Sequence, residues 1–72
     1  MKLGKHQHYK GKYYEVLGVA HHSETLEELV VYRALYDSEE FGENALWVRL
    51  KKEFLEDVVV DGEKVPRFKI IK

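Results

Sequence analysis

At 72 residues, 44% apolar and 35% charged with a net charge of −1, the chain has room for one small domain with a thin core. It has no cysteine, which excludes a disulfide staple, a thiolate nucleophile and a thiolate zinc site. No run approaches the ~20 apolar residues that span a bilayer, and Met1 to Lys5 lacks the apolar centre of a signal peptide, so the expectation is a cytoplasmic protein with no membrane contact.

The charge is uneven. Residues 1–12 carry +4, residues 13–44 carry −7 and residues 45–72 carry +2. Residues 1–7 read as a basic N-terminal arm on a single domain spanning 1–72. Such an arm can touch nucleic acid or an acidic partner, or serve only as a solubilising tail. Dedicated nucleic-acid binders are usually more basic.

In chain order, His8-Tyr9-Lys10 reads as a short first strand and Gly11-Lys12 as its turn. Residues 13–20 alternate with period two, the even positions Tyr14, Val16, Gly18 and Ala20 forming an uncharged face. Gly18 within that strand predicts a bulge or sharp bend. Thr25-Leu26-Glu27-Glu28 matches a capping box, but continuing the helix would put Arg33 and Asp37 on its apolar face. One turn at most is expected there, then a strand over about 29–36 with Val30, Tyr32, Ala34 and Tyr36 on one face.

Asp37 to Ala45 is an acidic loop from which Phe41 can tuck back onto the body. Leu46 to Leu50 reads as a strand with Leu46, Val48 and Leu50 inward. Lys51 to Leu55 suits one helical turn, with Phe54 and Leu55 as plugs. Val58-Val59-Val60, Asp61-Gly62 and Val65 to Ile71 read as a hairpin whose loop length Glu63 and Lys64 leave open. Pro66 fits only an edge or a strand start. These elements predict a mainly β fold: a small SH3-like barrel of five to six strands with one or two helical turns, an OB-like barrel being the second choice.

The order His8-Tyr9-Lys10-Gly11, Tyr14-Glu15-Val16-Leu17-Gly18-Val19-Ala20, His22-Ser23-Glu24-Thr25, Val30-Val31-Tyr32-Arg33-Ala34-Leu35-Tyr36 and Leu46-Trp47-Val48-Arg49 resembles a small bacterial family described only as a domain of unknown function. The resemblance runs from about Gly4 to Phe68. It implies an SH3-like barrel and brings no reaction, ligand or catalytic residue with it. Residues 37–45 look longer than the tight turn of that family. Leu50-Lys51-Lys52-Glu53-Phe54 lacks the family's proline, which makes the turn less rigid.

Two constellations carry chemistry. With Leu46, Val48 and Leu50 inward, Trp47 and Arg49 share the outer face with Tyr13, Leu17, Arg33 and Leu35. Tyr, Trp and Arg together have the composition of a binding hot spot. The alternative is that loop 37–45, the terminal segment or a second copy covers Trp47. The second constellation is His21, His22, Ser23 and Glu24 at a strand end, with His8 as an outlying member. It suits a divalent metal or acid–base chemistry. The competing reading is a polar turn in which Ser23, Glu24 or Thr25 bonds the local backbone and caps the following turn, with His22 a hydrogen-bonded structural histidine. Neighbouring Ser23, His22 and Glu24 do not make a triad, and no serine elbow or phosphate loop is present. Tyr9, Tyr14, Tyr32, Tyr36, Phe54 and Phe68 read as core and rim.

The expectation is therefore a non-enzymatic binding module using Trp47, Arg49, Tyr13 and Arg33, with His22 and Glu24 as a further candidate pair. No metal or cofactor is expected. A protein segment or self-association ranks above nucleic acid as partner. A metal or acid–base site at the histidine loop and a purely structural self-association domain are the alternatives.

Overall fold

The structure is a computed structural model that describes all residues, 1–72. Its elements are β1 (Gly4–His8), β2 (Tyr13–His21), β3 (Glu28–Ala34), β4 (Asp37–Ser38), β5 (Gly42–Glu43), β6 (Leu46–Leu50), α1 (Lys51–Phe54), β7 (Asp57–Val60), β8 (Glu63–Pro66) and β9 (Phe68–Ile70). Five strands form one antiparallel sheet in the order β6-β3-β2-β1-β9, flanked by the two-stranded pairs β4-β5 and β7-β8. The fold is mainly β, as expected. No helix is long and apolar enough to cross a membrane.

The expected barrel does not close by hydrogen bonding: β6 and β9 are free edges of an open sheet. α1 separates β6 from the strands that follow it. An apolar plug bridges the gap instead. Phe54 of α1 is 1% exposed and stacks on Phe68 of β9 at 4.0 Å and 6°. Val16, Val30, Tyr32, Phe54 and Phe68 form the core, with Tyr14 and Trp47 packed against it. Seven of 72 residues are buried, so each of these contacts carries a large share of stability. His6 is the one buried polar residue, and its Nδ1 lies 3.0 Å from the Gly4 carbonyl.

Several sequence expectations hold locally. A bulge shifts the β2–β3 register between Val16 and Gly18. Beyond it Val19 pairs with the buried Val30, so the inward phase of β2 moves from even to odd positions and the uniform even-numbered face ends at Val16. Asp61-Gly62 closes a two-residue hairpin, with φ of 50° and 81° and Val60 opposite Glu63. Both positive φ values suit the turn that matches strand twist. Pro66 ends β8. The short helix and its Phe54 plug are present, but Leu55 is 58% exposed and plugs nothing.

Other expectations are corrected. The first strand is Gly4–His8, not His8–Lys10, so residues 4–7 of the expected basic arm pair with β2 and, in part, β9. Residues 22–26 close a single α-turn, the Leu26 N–H donating to the His22 carbonyl at 2.8 Å, ahead of the Thr25–Glu28 segment rather than after it. Leu26 sits at φ 65°, and Thr25 Oγ1 accepts the Glu27 N–H at 3.2 Å, a side-chain turn in place of a capping box. β3 ends at Ala34, leaving Tyr36 beyond it. The acidic loop is a small hairpin, β4-β5, with Ser38 Oγ accepting the N–H of Glu40 and Phe41.

The largest correction concerns β6. Trp47 pairs with Tyr32 and Arg49 with Val30, so Trp47 and Arg49 lie on the inner face. Leu46 (67% exposed) and Val48 (60%) lie on the outer face with Arg33 and Val31. Phase follows burial, and an indole against Tyr32 and an aromatic core covers more apolar surface than a leucine there.

The plug sets a stability prediction. Phe54→Ala lowers the free energy of unfolding by about 3–5 kcal/mol, whereas Leu55→Ala changes it by less than about 0.5 kcal/mol. Urea unfolding of the two variants measures the difference.

Candidate functional site

The expected outer-face patch is not assembled. Tyr13 and Arg33 do lie on the outer face, but Trp47 and Arg49 lie on the other. Arg33 is occupied: its Nε donates to Glu15 Oε1 at 3.1 Å across β2–β3. Tyr13 carries the Lys5 ammonium over its ring at 4.5 Å.

The histidine loop is a self-satisfied turn. His22 Nδ1 accepts the N–H of Glu24 at 3.1 Å and of Thr25 at 3.4 Å. The Leu26 N–H donates to the His22 carbonyl, and the His22 N–H to the Glu27 carbonyl. The imidazole of His22 thus closes the loop, and the Glu24 carboxylate makes no ion pair. His8 does not join them. Gln7 pairs with Tyr13, and His21 follows Tyr13 by eight residues of extended strand, roughly 25 Å at about 3.3 Å per residue. No three His, Cys, Asp or Glu side chains are grouped to hold a metal ion.

The inner face brings together a different set. β1 contributes His8, β2 contributes Tyr14, β6 contributes Trp47 and Arg49, and Tyr36 follows β3. The pairings Tyr14–Ala34, His8–Phe68, Tyr32–Trp47 and Val30–Arg49 put these residues on the core side of the sheet. The His8 ring packs edge-on to Phe68 at 4.9 Å and to Tyr14 at 6.3 Å. The hydroxyls of Tyr14 and Tyr36 share a hydrogen bond of 2.7 Å, and Lys12 Nζ lies 4.5 Å from the Tyr36 ring centre. Phe41, reaching back from the β4-β5 hairpin, packs edge-on to Trp47 at 5.0 Å.

This end of the inner face is rich in donors and poor in acceptors. Trp47 Nε1 and Arg49 Nε are both buried and find no acceptor in the protein. The two salt bridges of the molecule are Arg33–Glu15 and Lys51–Glu28, so Arg49, Lys10, Lys12 and Arg67 have no carboxylate partner. The field registers on the titratable groups. Burial depresses the His8 pKa below 6.5, and the nearby charges of Arg49, Lys10 and Arg67 depress it further. Burial raises the Tyr14 phenol strongly, the Tyr36 hydrogen bond and the Tyr36 and Tyr32 phenols add to this, and Arg49 opposes it. Left unpaired, a buried N–H donor costs about 1–3 kcal/mol, more when it is charged. Both donors belong to inner-face residues two apart on β6.

The period-two pattern puts Trp47 and Arg49 on the outer face and the structure places them on the inner one, while Tyr14 and Tyr36 pack as core and rim, as expected. His8 was placed with a loop it never meets. The usable signal was the spacing of His6 and His8, two apart on one strand, like Trp47 and Arg49.

Two concavities lie elsewhere. One of about 510 Å³ is lined by Gln7, His8, Tyr9, Val60, Val65, Pro66 and Lys69, where the β7-β8 hairpin meets β1 and β9. The other, about 390 Å³, holds the Lys51–Glu28 ion pair beside Leu50 and Leu55.

The DUF1653 family profile, described as "Protein of unknown function (DUF1653)", matches residues 4–70. The crystal structure of a protein belonging to DUF1653 from Bordetella bronchiseptica is similar with a TM-score of 0.88 and 34% sequence identity, over 99% of this chain and 87% of that one. No curated protein matches the chain. Family profile and solved relative agree over nearly the whole length, and the chain belongs to the DUF1653 family.

Proposed function

We propose that this protein is a binding module without a catalytic step, and that its ligand site is the aromatic and cationic end of the inner face. Arg49 and Trp47 present N–H groups to an anionic group of the ligand, His8 and Tyr14 line the approach, and Lys10, Lys12 and Arg67 supply the surrounding field. The carrying observation is the pair of buried, unpartnered donors, Trp47 Nε1 and Arg49 Nε. A carboxylate or a phosphate satisfies both with charge-assisted bonds, which are shorter and about twice as strong as neutral ones.

The open sheet is, on this reading, a relative of the SH3-like barrels. The support is the strand order, with the fifth strand returning beside the first, and the short helix between the fourth and fifth strands of the sheet. The Gly18 bulge sharpens the coil of β2 in the way small barrels need.

Titration with sodium acetate or inorganic phosphate, followed by NMR, tests the site. The indole N–H of Trp47 and the Nε–H of Arg49 should shift together and saturably, and Arg49→Met should remove the response. Shifts spread evenly over surface lysines, with these two signals unmoved, would rule the site out.

His8 gives the site a pH dependence. Its folded pKa lies below 6.5, so its contribution to stability is fully present above 6.5, falls as pH drops from 6.5 through the folded value, and is level below that. Melting curves of the protein and of His8→Asn should therefore diverge in slope just below pH 6.5, the variant losing less. A bound anion favours the imidazolium, so acetate should raise the His8 pKa and bind more tightly as the pH falls through that window. Parallel melting curves, or an anion affinity independent of pH, would contradict this.

A further inference from the structure

We propose that the partner engaging this site is an extended protein segment that adds to β6 as a further strand, with acidic side chains at alternate positions and apolar ones between them. The proposal rests on the inner-face reading and names the ligand class for it.

Three features of β6 coincide. The first is its backbone. β6 pairs with β3 alone, so its other side is a free sheet edge. The Ala34 N–H donates to the Ala45 carbonyl at 2.8 Å, which makes Tyr32–Trp47 and Val30–Arg49 the bonded pairs of the ladder. The peptide groups of Leu46 and Val48 then point off the edge, and no backbone bond of theirs is made elsewhere. An unpaired row of this kind is a template for another strand.

The second feature is the outer side. Leu46 and Val48 are 67% and 60% exposed, and Leu35 and Leu17 add further exposed apolar surface. Single exposed leucines are ordinary, but two at alternate positions of a free edge give a strand-length apolar stripe. The third is the inner side, where Trp47 and Arg49 hold buried donors with no acceptor. Side chains opposite one another on paired strands share a face. A docked strand therefore sets one side-chain row beside Leu46 and Val48 and the alternate row beside Trp47 and Arg49. The first row is apolar and the second acidic.

Other occupants fit less well. β6 paired antiparallel with its own copy about Val48 would set Trp47 against the Arg49 of a second copy and bring no carboxylate to either. A nucleic acid could meet the cations but has no peptide groups for the free edge. A lone inward arginine can also guard an edge against pairing, and that reading leaves Arg49 without a carboxylate.

The test uses the full chain and two labelled peptides, acetyl-Val-Glu-Val-Glu-Val-amide and the same peptide with lysine for glutamate, followed by fluorescence anisotropy and amide hydrogen exchange. The glutamate peptide should bind and slow exchange at the Leu46 and Val48 amides. The lysine peptide, and the glutamate peptide on Arg49→Met, should bind at least roughly tenfold more weakly, the loss expected for one charge-assisted bond. Val48→Pro removes an edge N–H that β3 does not use. It should abolish peptide binding while acetate still shifts the Trp47 indole N–H. If acetate shifts that signal but no peptide protects Leu46 and Val48, strand addition is overturned and the inner-face site stands. If neither acetate nor peptide has an effect, both fail. Dimerisation of the chain with protection of the same amides, and no preference for glutamate, would overturn the proposal in favour of self-association. Should Val48→Pro unfold, exchange at Leu46 and Val48 in the unaltered chain still decides.

Discussion

The stack of Phe54 on Phe68 holds this molecule together. The sheet has two unbonded edges, β6 and β9, and the chain leaves β6 through one helical turn that drops Phe54 onto β9. Apolar contact does here what hydrogen bonds do in a closed barrel. Tyr32 meets both rings at 5.5 Å, and His6 meets Phe54 at 5.7 Å, so four elements converge on one aromatic cluster. His8 and Tyr14 extend the same cluster, edge-on to Phe68 at 4.9 and 5.7 Å.

Charge is tolerated close to this core. Arg49 runs its aliphatic stem across the inner face beside Val30, and cations of this type cover apolar surface while keeping the head hydrated. Its Nε is nevertheless buried. A guanidinium with no carboxylate partner adds little to folding. It is well placed to receive an anion. Burial depresses the His8 pKa and raises that of Tyr14; the Arg49 charge deepens the first shift and opposes the second.

The sequence made much of the scaffold legible where backbone chemistry is decisive. Gly18 marked the bulge, Asp61-Gly62 marked the hairpin, and Phe54 was identified as a plug. Each depends on local conformational preference or on one dominant apolar side chain. It failed where two faces of a strand compete. Leu46, Val48 and Leu50 look like an inward row, but their neighbours across β3 are Arg33, Val31 and Leu29, while Trp47 meets Tyr32. A register choice of that kind is made by the partner strand, which a period-two pattern cannot see. The histidine loop follows its polar-turn reading: His22 accepts two backbone N–H groups within the turn. The closure of the barrel was invisible to a local pattern, because it depends on pairing between distant strands.

The most direct measurement is the fluorescence of Trp47, the single tryptophan of the chain, with its quenching by acrylamide. A neutral quencher avoids the attraction that nearby cations exert on iodide. With Trp47 on the inner face, packed on the core and covered by Phe41, the emission should be blue-shifted, weakly quenched and unchanged on dilution. A red-shifted emission that acrylamide quenches freely would put Trp47 on the outer face, reverse the phase of β6 and remove the inner-face site.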